Sequence, residues 1–346
     1  MQVDYIIVGC GLAGIHFCEQ LIAHNKTFVV YDNHSQQSST VAGGLYNPVV
    51  LKRFTSIWKG KEQLELALPI YHRLEKELNI IVDYKIPVLR RFTSNEEQNN
   101  WFIASDKPLL KEYLSDKIIT NNNALIDAPF GFGKVLQTGR IEVKVLMDAY
   151  IKRLKIKECF FEDDFVYDDL KVTENQVQYN SVKAKHIVFA EGYGLKQNPY
   201  FNYLPLDGVK GELITIHAPE LKIDYILKSS VFIFPHGNDL YSVGATYEWK
   251  DKTNVITSKG REELLNKLKT FVNCPFEVIN QVVGIRPTVL DRRPLVGQHH
   301  LHKNMFVLNG LGTRGVIIGP YVAKKLFGCI ENGEALEKEI NINRFN

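Results

Sequence analysis

The stretch VDYIIVGCGLAG, residues 3–14, opens the chain and decides its fold. Residues 3–9 form a short apolar run of the kind found in buried parallel strands, and residues 13–23 predict a helix. The next apolar stretch, TFVVYD at residues 27–32, predicts a second strand. Together they predict an opening βαβ unit of about thirty residues, with a glycine-rich turn between its first strand and its helix.

The turn in this unit has the spacing of a dinucleotide-binding motif. In that motif the first glycine permits a tight turn, the second lets a pyrophosphate approach the backbone, and the third lets the helix pack closely on the strand. An acid at the end of the second strand can accept hydrogen bonds from a ribose. A glycine turn in another βαβ fold is the alternative, and the motif alone does not distinguish FAD from NAD. The predicted contacts are Gly9, Gly11, Leu12, Ala13, Gly14 and Asp32.

Strand and helix patterns alternate at both ends of the chain, whereas residues 206–286 are rich in strands with one helix near residues 258–272. This organisation predicts the α/β class, with a Rossmann-type nucleotide-binding domain and an inserted α+β substrate domain that is mostly antiparallel. The predicted nucleotide-binding domain comprises residues 1–80, 140–205 and 285–346, and the predicted substrate domain comprises residues 81–139 and 206–284.

Composition narrows the class of protein. The length of 346 residues with 45% apolar residues suits two domains, and the net charge of +3 gives little electrostatic reason to expect nucleic acid, although it allows a local basic patch. Five scattered cysteines with no CxxC pair argue against disulfides and a zinc site and suit a reducing cytosol. No apolar run is long enough to cross a bilayer. We therefore expect a cytoplasmic protein without a membrane partner and without a metal.

Three further segments suit a flavin dinucleotide. The turn NGLGTRG, residues 309–315, opens a helix whose free N–H groups and partial positive charge would stabilise the anionic end of a reduced flavin, with a structural helix entry as the alternative. The hydroxyls of residues 38–40 could bond phosphate or ribityl oxygens, and the same segment could be a plain surface loop. After the strand at residues 185–190, a third segment could bring the backbone close to the nucleotide. The predicted contacts are Ser39, Thr40, Gly43, Gly44, Leu45, Gly192, Gly310, Gly312, Thr313, Arg314 and Gly315.

These segments, in this order, resemble the glycine oxidase and D-amino acid oxidase family of flavoproteins. The resemblance covers nearly the whole chain and includes five more loose motifs: Gly139–Glu142, Lys210–Glu212, Val243–Thr246, Gly284–Pro287 and Asp291–Gly297. It implies FAD as the cofactor, with further cofactor contacts at Val166 and Arg286.

The resemblance also implies roles in substrate binding. In the family, the arginine of the G-[LIVF]-R-P motif, Arg286 here, holds the substrate carboxylate, and a planar guanidinium suits bidentate capture. A structural salt bridge with an acid such as Asp291 is the alternative. Tyr247 and Tyr241 are candidate catalytic groups over the flavin, and a core position is the alternative for each.

Two departures from related enzymes bear on the chemistry. No cysteine lies near Arg286 in the sequence to tether the flavin, so non-covalent FAD is expected. The monomeric sarcosine oxidases carry an oxygen-activating lysine that would fall near Ser242, and this chain has none there, which leaves the electron acceptor open.

Two segments, Gly43–Pro48 and Gly310–Gly315, are similar to the oxidase half of the bifunctional tRNA wobble-uridine enzymes, which cleave a carboxymethyl group from an amine nitrogen. Glycine and that tRNA group share a nitrogen on a methylene bearing a carboxylate. The first hypothesis is therefore an FAD-dependent oxidoreductase that oxidises the C–N bond of an amino acid or N-substituted glycine. The second is an oxidase of a carboxymethylated tRNA base, and an FAD-binding protein without turnover is a third.

Overall fold

A computed structural model describes residues 1–345 of the protein. Its α-helices are α1 (Leu12–Ala23), α2 (Gly60–Leu78), α3 (Asn95–Ser105), α4 (Val143–Ile156), α5 (Ser258–Leu268) and α6 (Gly315–Asn332). Short 3₁₀ helices span Tyr167–Asp169, Gly192–Gln197, Gly312–Arg314 and Ile342–Phe345. The strands are β1 (Gln2–Val8), β2 (Phe28–Tyr31), β3 (Leu45–Tyr46), β4 (Val49–Val50), β5 (Thr55–Ser56), β6 (Asp83–Tyr84), β7 (Val88–Arg91), β8 (Leu114–Ile119), β9 (Phe132–Val135), β10 (Gly139–Ile141), β11 (Phe160–Phe161), β12 (Leu170–Val172), β13 (Val177–Tyr179), β14 (Val182–Phe189), β15 (Leu206–His217), β16 (Ile226–Lys228), β17 (Phe232–Gly237), β18 (Leu240–Gly244), β19 (Glu277–Val289), β20 (Leu295–Gln298) and β21 (Met305–Asn309).

The first large sheet has the strand order β11-β2-β1-β14-β13-β12, and β21 pairs with β14 while β20 pairs with β21. Strands β11, β2, β1, β14 and β21 run parallel. Buried apolar side chains cover both faces of this sheet, which is why β1 and the end of β14 are nearly continuous apolar runs. With β1 lying between β2 and β14, the topology confirms the predicted Rossmann-type fold.

The second large sheet has the order β19-β15-β18-β17-β16-β7-β9-β8, and its only parallel pair among the described residues is β16 with β7. The mostly antiparallel, inserted sheet is therefore confirmed. Its strands come from residues 88–135 and 206–289, and the domain boundaries remain a prediction. Strand β19 continues to Val289, beyond the predicted boundary at residue 284, so Arg286 lies within this sheet.

Alternation along the strands gives the second sheet two different faces. One face carries Ile214, Ile233 and Val243 and is covered by Leu264 and Leu268 of α5. We call this the outer face. The opposite face carries the residues between these positions.

The inner face is defined by Gly211, Phe234, Ser242, Gly284 and Arg286. The loop of residues 38–44 packs directly on it. A Cβ added at Gly43 would lie 3.1 Å from Phe234 Cζ, and one added at Gly284 would lie 2.6 Å from Val41 Cγ2. We call residues 38–44 the flavin loop, because their predicted role is to contact the flavin. This loop is therefore in contact with the inner face.

Two helices differ from the prediction. Helix α3 was not predicted, because its sequence NEEQNNWFIAS has no apolar period, although Ser94 caps it by accepting a hydrogen bond from the Glu97 backbone N–H at 3.2 Å. Helix α5 ends at Leu268, short of the predicted residue 272. Within residues 1–345 no helix has both the length and the hydropathy to cross a membrane.

Candidate active site

The first glycine turn is shaped by three glycines with different neighbours. Gly9 has φ +101°, and a Cβ there would lie 2.5 Å from the Ala190 carbonyl oxygen. A Cβ at Gly14 would overlap the Gly9 carbonyl oxygen. A Cβ at Gly11 would meet only the Ser39 side chain, with Oγ at 3.2 Å. Gly9 and Gly14 are thus required by packing against backbone, whereas Gly11 has only the Ser39 side chain nearby, and the space beside that side chain would fit a phosphate.

The residues around this turn hold it in place. The Leu12 backbone N–H donates to Ser39 Oγ at 3.3 Å, and Thr40 Oγ1 donates to the Gln37 carbonyl at 2.8 Å. The Asp32 carboxylate accepts from the Cys10 backbone N–H in the turn and from the His34 N–H at 2.6 Å. Asp32 therefore orients the turn, and its contact with a ribose stays a prediction. Ala13 is buried in the core beneath the turn.

The second glycine turn lies beside the first. A Cβ at Gly315 would lie 3.0 Å from Leu12 Cδ1, so the starts of α6 and α1 are in contact. Gly310 has φ +71° and packs on Val289, whereas Gly312 has φ +58° with no atom within 4 Å of an added Cβ. Thr313 is exposed. The open space at Gly312, like that at Gly11, is the room that a dinucleotide cofactor would need.

Strand β10 holds the flavin loop in place. Arg140 Nε donates to the Gly43 carbonyl at 3.1 Å, and Leu45 pairs with Arg140 in the sheet. Gly44 has φ +68°, and its carbonyl accepts from the Ile141 N–H at 2.9 Å. A Cβ at Gly44 would overlap the Ile141 carbonyl oxygen. The motif of residues 139–142 therefore anchors the loop.

The turn after β14 also joins the site. The Gly192 carbonyl accepts from Asn309 Nδ2 at 3.0 Å, which links this turn to the second glycine turn. The Glu191 carboxylate accepts from Tyr167 Oη at 2.5 Å and from Asn198 Nδ2 at 2.8 Å. Burial raises the pKa of Glu191 to about 7, against the lowering effect of those two hydrogen bonds.

Glu191 should make the stability of the protein depend on pH. Because its pKa in the folded state lies above the ordinary 4.5, its contribution is fully present below pH 4.5 and is lost as pH rises through 7. We expect the free energy of unfolding to fall by up to about 3 kcal/mol across that window, and Glu191→Gln to remove this slope. Urea unfolding at pH 4.5, 6 and 8 measures it. Exposed Glu96→Gln is the control, and an unchanged slope in Glu191→Gln would contradict the assignment.

Val166 lies at the edge of the site with its backbone engaged locally. Its N–H donates to Tyr179 Oη at 3.0 Å, and its carbonyl accepts from the Asp169 N–H. The side chain is 47% exposed. A cofactor contact at Val166 stays a prediction, and the exposed side chain is the part of the residue that is free to make it.

Arg286 is the central residue of the inner face. Its Nη1 donates to the Thr246 carbonyl at 3.2 Å, and its Cζ lies 4.8 Å from the centre of the Tyr247 ring. The predicted alternative, a salt bridge with Asp291, is not present, because Asp291 pairs with Arg344 at 2.7 Å. Burial lowers the pKa of the Arg286 guanidinium. This mostly buried cation has no carboxylate partner within residues 1–345.

Gly211 provides the space in which the Arg286 guanidinium lies. Because side chains alternate along β15, Lys210 and Glu212 lie on the outer side. There Lys210 pairs with Asp251 at 2.5 Å, and Glu212 accepts a hydrogen bond from the Thr257 N–H at 2.9 Å. Gly211 points to the inner face, where an added Cβ would overlap the guanidinium.

Gly211→Ala should therefore displace the Arg286 side chain while FAD still binds. We expect substrate kcat/KM to fall at least about tenfold, since a misplaced guanidinium loses hydrogen bonds to a charged group. Steady-state kinetics and the FAD absorbance ratio measure the two quantities. Gly194→Ala is a matched control, because an added Cβ there makes only ordinary contacts at 3.6 Å or more. Equal effects of the two variants would show that Gly211 has no specific role.

The two predicted tyrosines lie in different places. Tyr247 is 60% exposed and stacks on Arg286, so it borders the candidate site. Tyr241 is 3% exposed and lies on the outer face among the side chains that pack against α5. This position fits the alternative of a core tyrosine, because strand alternation points its ring away from the flavin loop, and a catalytic role of Tyr241 stays an untested prediction.

Several polar side chains on or outside the inner face also have defined neighbours. Ser242, where the sarcosine oxidases would carry a lysine, lies on the inner face with His236 Nε2 2.7 Å from its Oγ. No sequence pattern indicated His236, because its contact with Ser242 depends on the hairpin of β17 and β18. His299 stacks on His300 at 4.5 Å, and no group of three metal-ligating residues is formed within residues 1–345.

These contacts define the class of the protein. Two glycine turns with open cradles lie side by side at the edge of a parallel sheet, and a loop joins them to a face bearing an unpaired arginine. That arrangement is typical of a two-domain dinucleotide-dependent oxidoreductase. The model of the DAO family, FAD dependent oxidoreductases, matches residues 4–327. The chain belongs to this family and is an FAD-dependent oxidoreductase.

Individual relatives are distant. The chain is 27% identical over 232 residues to the tRNA 5-methylaminomethyl-2-thiouridine biosynthesis bifunctional protein MnmC of Shewanella sediminis, covering 54% of this chain and 32% of that protein. It is 23% identical over 216 residues to glycine oxidase of Bacillus subtilis, covering 59% and 58%. The glycine oxidase structure from Geobacillus kaustophilus has a TM-score of 0.80 at 18% identity, over 96% of each chain. The chain thus spans about a third of the length of the first of these relatives, and the structural likeness shows the fold.

Proposed function

We propose that this flavoprotein oxidises the C–N bond of a small carboxylate-bearing amine, either an amino acid or an N-substituted glycine. The observation that carries the proposal is Arg286 on the face that contacts the flavin loop: its guanidinium is mostly buried and has no carboxylate partner among residues 1–345. Leaving such a cation unpaired is costly, and a substrate carboxylate would offset that cost with two parallel hydrogen bonds.

The residues of the chain divide the work. The two glycine turns, Asp32 and the loop of residues 38–44 would hold FAD without a covalent bond. Bound FAD would supply the acceptor for the two electrons and the hydride that the carbon next to the substrate nitrogen loses. Arg286 would bind the carboxylate, and Tyr247 would keep the guanidinium plane in place from its exposed side. The substrate would leave as an iminium ion, its nitrogen lone pair forming the new C=N bond, and water would hydrolyse that ion to a carbonyl compound and an amine.

Anaerobic bleaching of the flavin tests this proposal. The FAD-loaded protein is mixed with glycine, N-methylglycine, other amino acids, and amines that lack the carboxylate. We expect the 450 nm absorbance to fall with at least one carboxylated amine and not with its decarboxylated counterpart. Bleaching by the decarboxylated amines at equal rates would refute the role of the carboxylate.

A second candidate function is oxidation of a carboxymethylated tRNA base. The match to the bifunctional MnmC proteins favours it, and the match spans less than half of the length of those proteins. Modified and unmodified tRNA belong in the same bleaching panel. Binding to tRNA that is lost steeply as salt rises, with bleaching by the modified form alone, would select this candidate over the first.

A further inference from the structure

The arginines of this chain differ in whether they have partners. Three well-buried arginines are each paired with a carboxylate: Arg90 with Glu97, Arg140 with Glu142 and Arg153 with Glu19. That is the ordinary state of a buried guanidinium, because an unpaired charge in the interior is destabilising.

Four arginines near the candidate site break this pattern. Arg286 and Arg314, both mostly buried, form no ion pair within residues 1–345, and neither do the neighbouring Arg293 and the exposed Arg292; Asp291, which precedes Arg292, is already paired with Arg344. Arg314 is mostly buried, and burial lowers the pKa of its guanidinium. Its side chain makes no hydrogen bond to any of the residues described. Arg314 therefore resembles Arg286 in being a largely desolvated cation without a partner.

Arg314 and Arg286 belong to one region of the molecule. Both guanidiniums interact electrostatically with Tyr247, and the segment Gly312–Arg314 packs beside β19, which carries Arg286. Arg292 and Arg293 add like charge to the surroundings of Arg314. Arg293 stacks on the Trp58 ring, with Cζ 5.4 Å from its centre, so its charge is held near this edge of the site.

We propose that Arg314 forms a second anion subsite next to Arg286, so that the substrate is an amine carrying two anionic groups. One carboxylate lies on Arg286, and the second group, a carboxylate or a phosphate, lies on Arg314. The inference rests on the proposed function and narrows it from any carboxylated amine to a dianionic one. A single carboxylate would leave several like charges close together and one largely desolvated guanidinium unpaired, whereas a dianion neutralises both positions.

Three non-oxidisable anions test the subsite by equilibrium binding. Methoxyacetate has one carboxylate, and diglycolate adds a second carboxylate to the same ether skeleton. In 2-phosphoglycolate a phosphate on the ether oxygen, with a charge of about −1.5 to −2, replaces that second carboxymethyl group. We call the last two the dianions because each carries two anionic groups. Each is titrated into the FAD-loaded protein, and the change in the flavin spectrum gives Kd. We expect one of the two dianions to bind at least about tenfold more tightly than methoxyacetate, since hydrogen bonds to charged groups are strong. The tighter of the two identifies the second group as a carboxylate or a phosphate.

The variants Arg314→Gln and Arg314→Lys locate the subsite. Arg314→Gln should reduce the ratio of methoxyacetate Kd to dianion Kd to near one, and Arg314→Lys should restore part of it. Arg292→Gln, at an exposed position, is the matched control and should keep the ratio within about twofold. All values are taken per FAD-loaded site, so that any loss of cofactor does not enter the comparison.

Two results would overturn the inference. The first is equal affinity of the unmodified protein for all three anions, or no binding of any of them. The second is an equal loss of methoxyacetate and dianion affinity in Arg314→Gln, which would mean that both arginines hold a single carboxylate. Because the titration requires bound FAD but no turnover, its failure is distinguishable from a failure of the bleaching experiment.

Discussion

Gly11→Val is expected to give a folded protein that retains no FAD. An added Cβ at residue 11 lies 3.2 Å from Ser39 Oγ and within 4 Å of no backbone atom, so only the Ser39 side chain has to move for the fold to form. The space it would occupy is the one that a pyrophosphate needs to reach the backbone N–H groups of the turn. Losing two such hydrogen bonds weakens binding by at least about a hundredfold. The flavin absorbance ratio and a titration of the apoprotein with FAD measure the loss.

Variants at Gly14 and Asp32 distinguish loss of the cofactor from misfolding. Gly14→Val should prevent folding, because a side chain there overlaps the Gly9 carbonyl oxygen. Asp32→Ala should weaken FAD binding less than Gly11→Val, since it removes ribose contacts and one support of the turn at Cys10. Circular dichroism and thermal melting verify the folded state. A Gly11→Val protein that stays yellow, or a larger loss in Asp32→Ala, would mean that the turn is not the phosphate site.

Arg286→Ala is expected to keep FAD and the fold but to lower kcat/KM for carboxylated amines by at least about a hundredfold. A bidentate grip consists of two hydrogen bonds between charged groups, each contributing about 1.5–3 kcal/mol. Arg286→Lys should recover only part of the loss, because an ammonium offers charge without paired planar donors. Rapid-reaction measurements of flavin reduction give the rate and the apparent Kd separately.

Within residues 1–345 Arg286 forms no ion pair, so this experiment distinguishes a substrate-binding guanidinium from a structural one. If the guanidinium were structural, its removal would lower the melting temperature and release flavin. The structure gives it one hydrogen bond, to the Thr246 carbonyl, and a stacking contact with Tyr247. A stable, flavin-loaded Arg286→Ala protein with unchanged kcat/KM would remove the reason for assigning a carboxylated substrate.

The parts of the site that follow from local sequence were predictable. A glycine turn between a strand and a helix needs only neighbouring residues, so the opening βαβ unit and the turn before α6 could be identified from their spacing. The family resemblance supplied Arg286. Both depend on motifs that are continuous in the chain.

Contacts between distant segments could not be predicted in this way. That Gly211 lies under Arg286 follows from strand register in the second sheet. The contacts of Phe234 with Gly43 and of Asp291 with Arg344 join segments that are far apart in the chain. Register is fixed by the whole sheet, and a change of one residue moves every side chain to the opposite face.

The pair of tyrosines illustrates the same limit. Tyr241 and Tyr247 are both at odd positions, yet one faces α5 and the other borders the site. Strand β18 ends at Gly244, so the alternation that places Tyr241 on the outer face does not extend to Tyr247. The sequence shows the two tyrosines but not the end of the strand between them.

The contact between Leu12 and Gly315 has a consequence for biosynthesis. The first glycine turn is translated about 300 residues before the second turn and its strand β21, which pairs with β14 in the parallel sheet. A nascent chain therefore cannot assemble the full cofactor cradle until residues 305–315 have left the ribosome. Polypeptides that terminate before Met305 lack one wall of the cradle, so retention of FAD distinguishes molecules that contain this wall from those truncated before it.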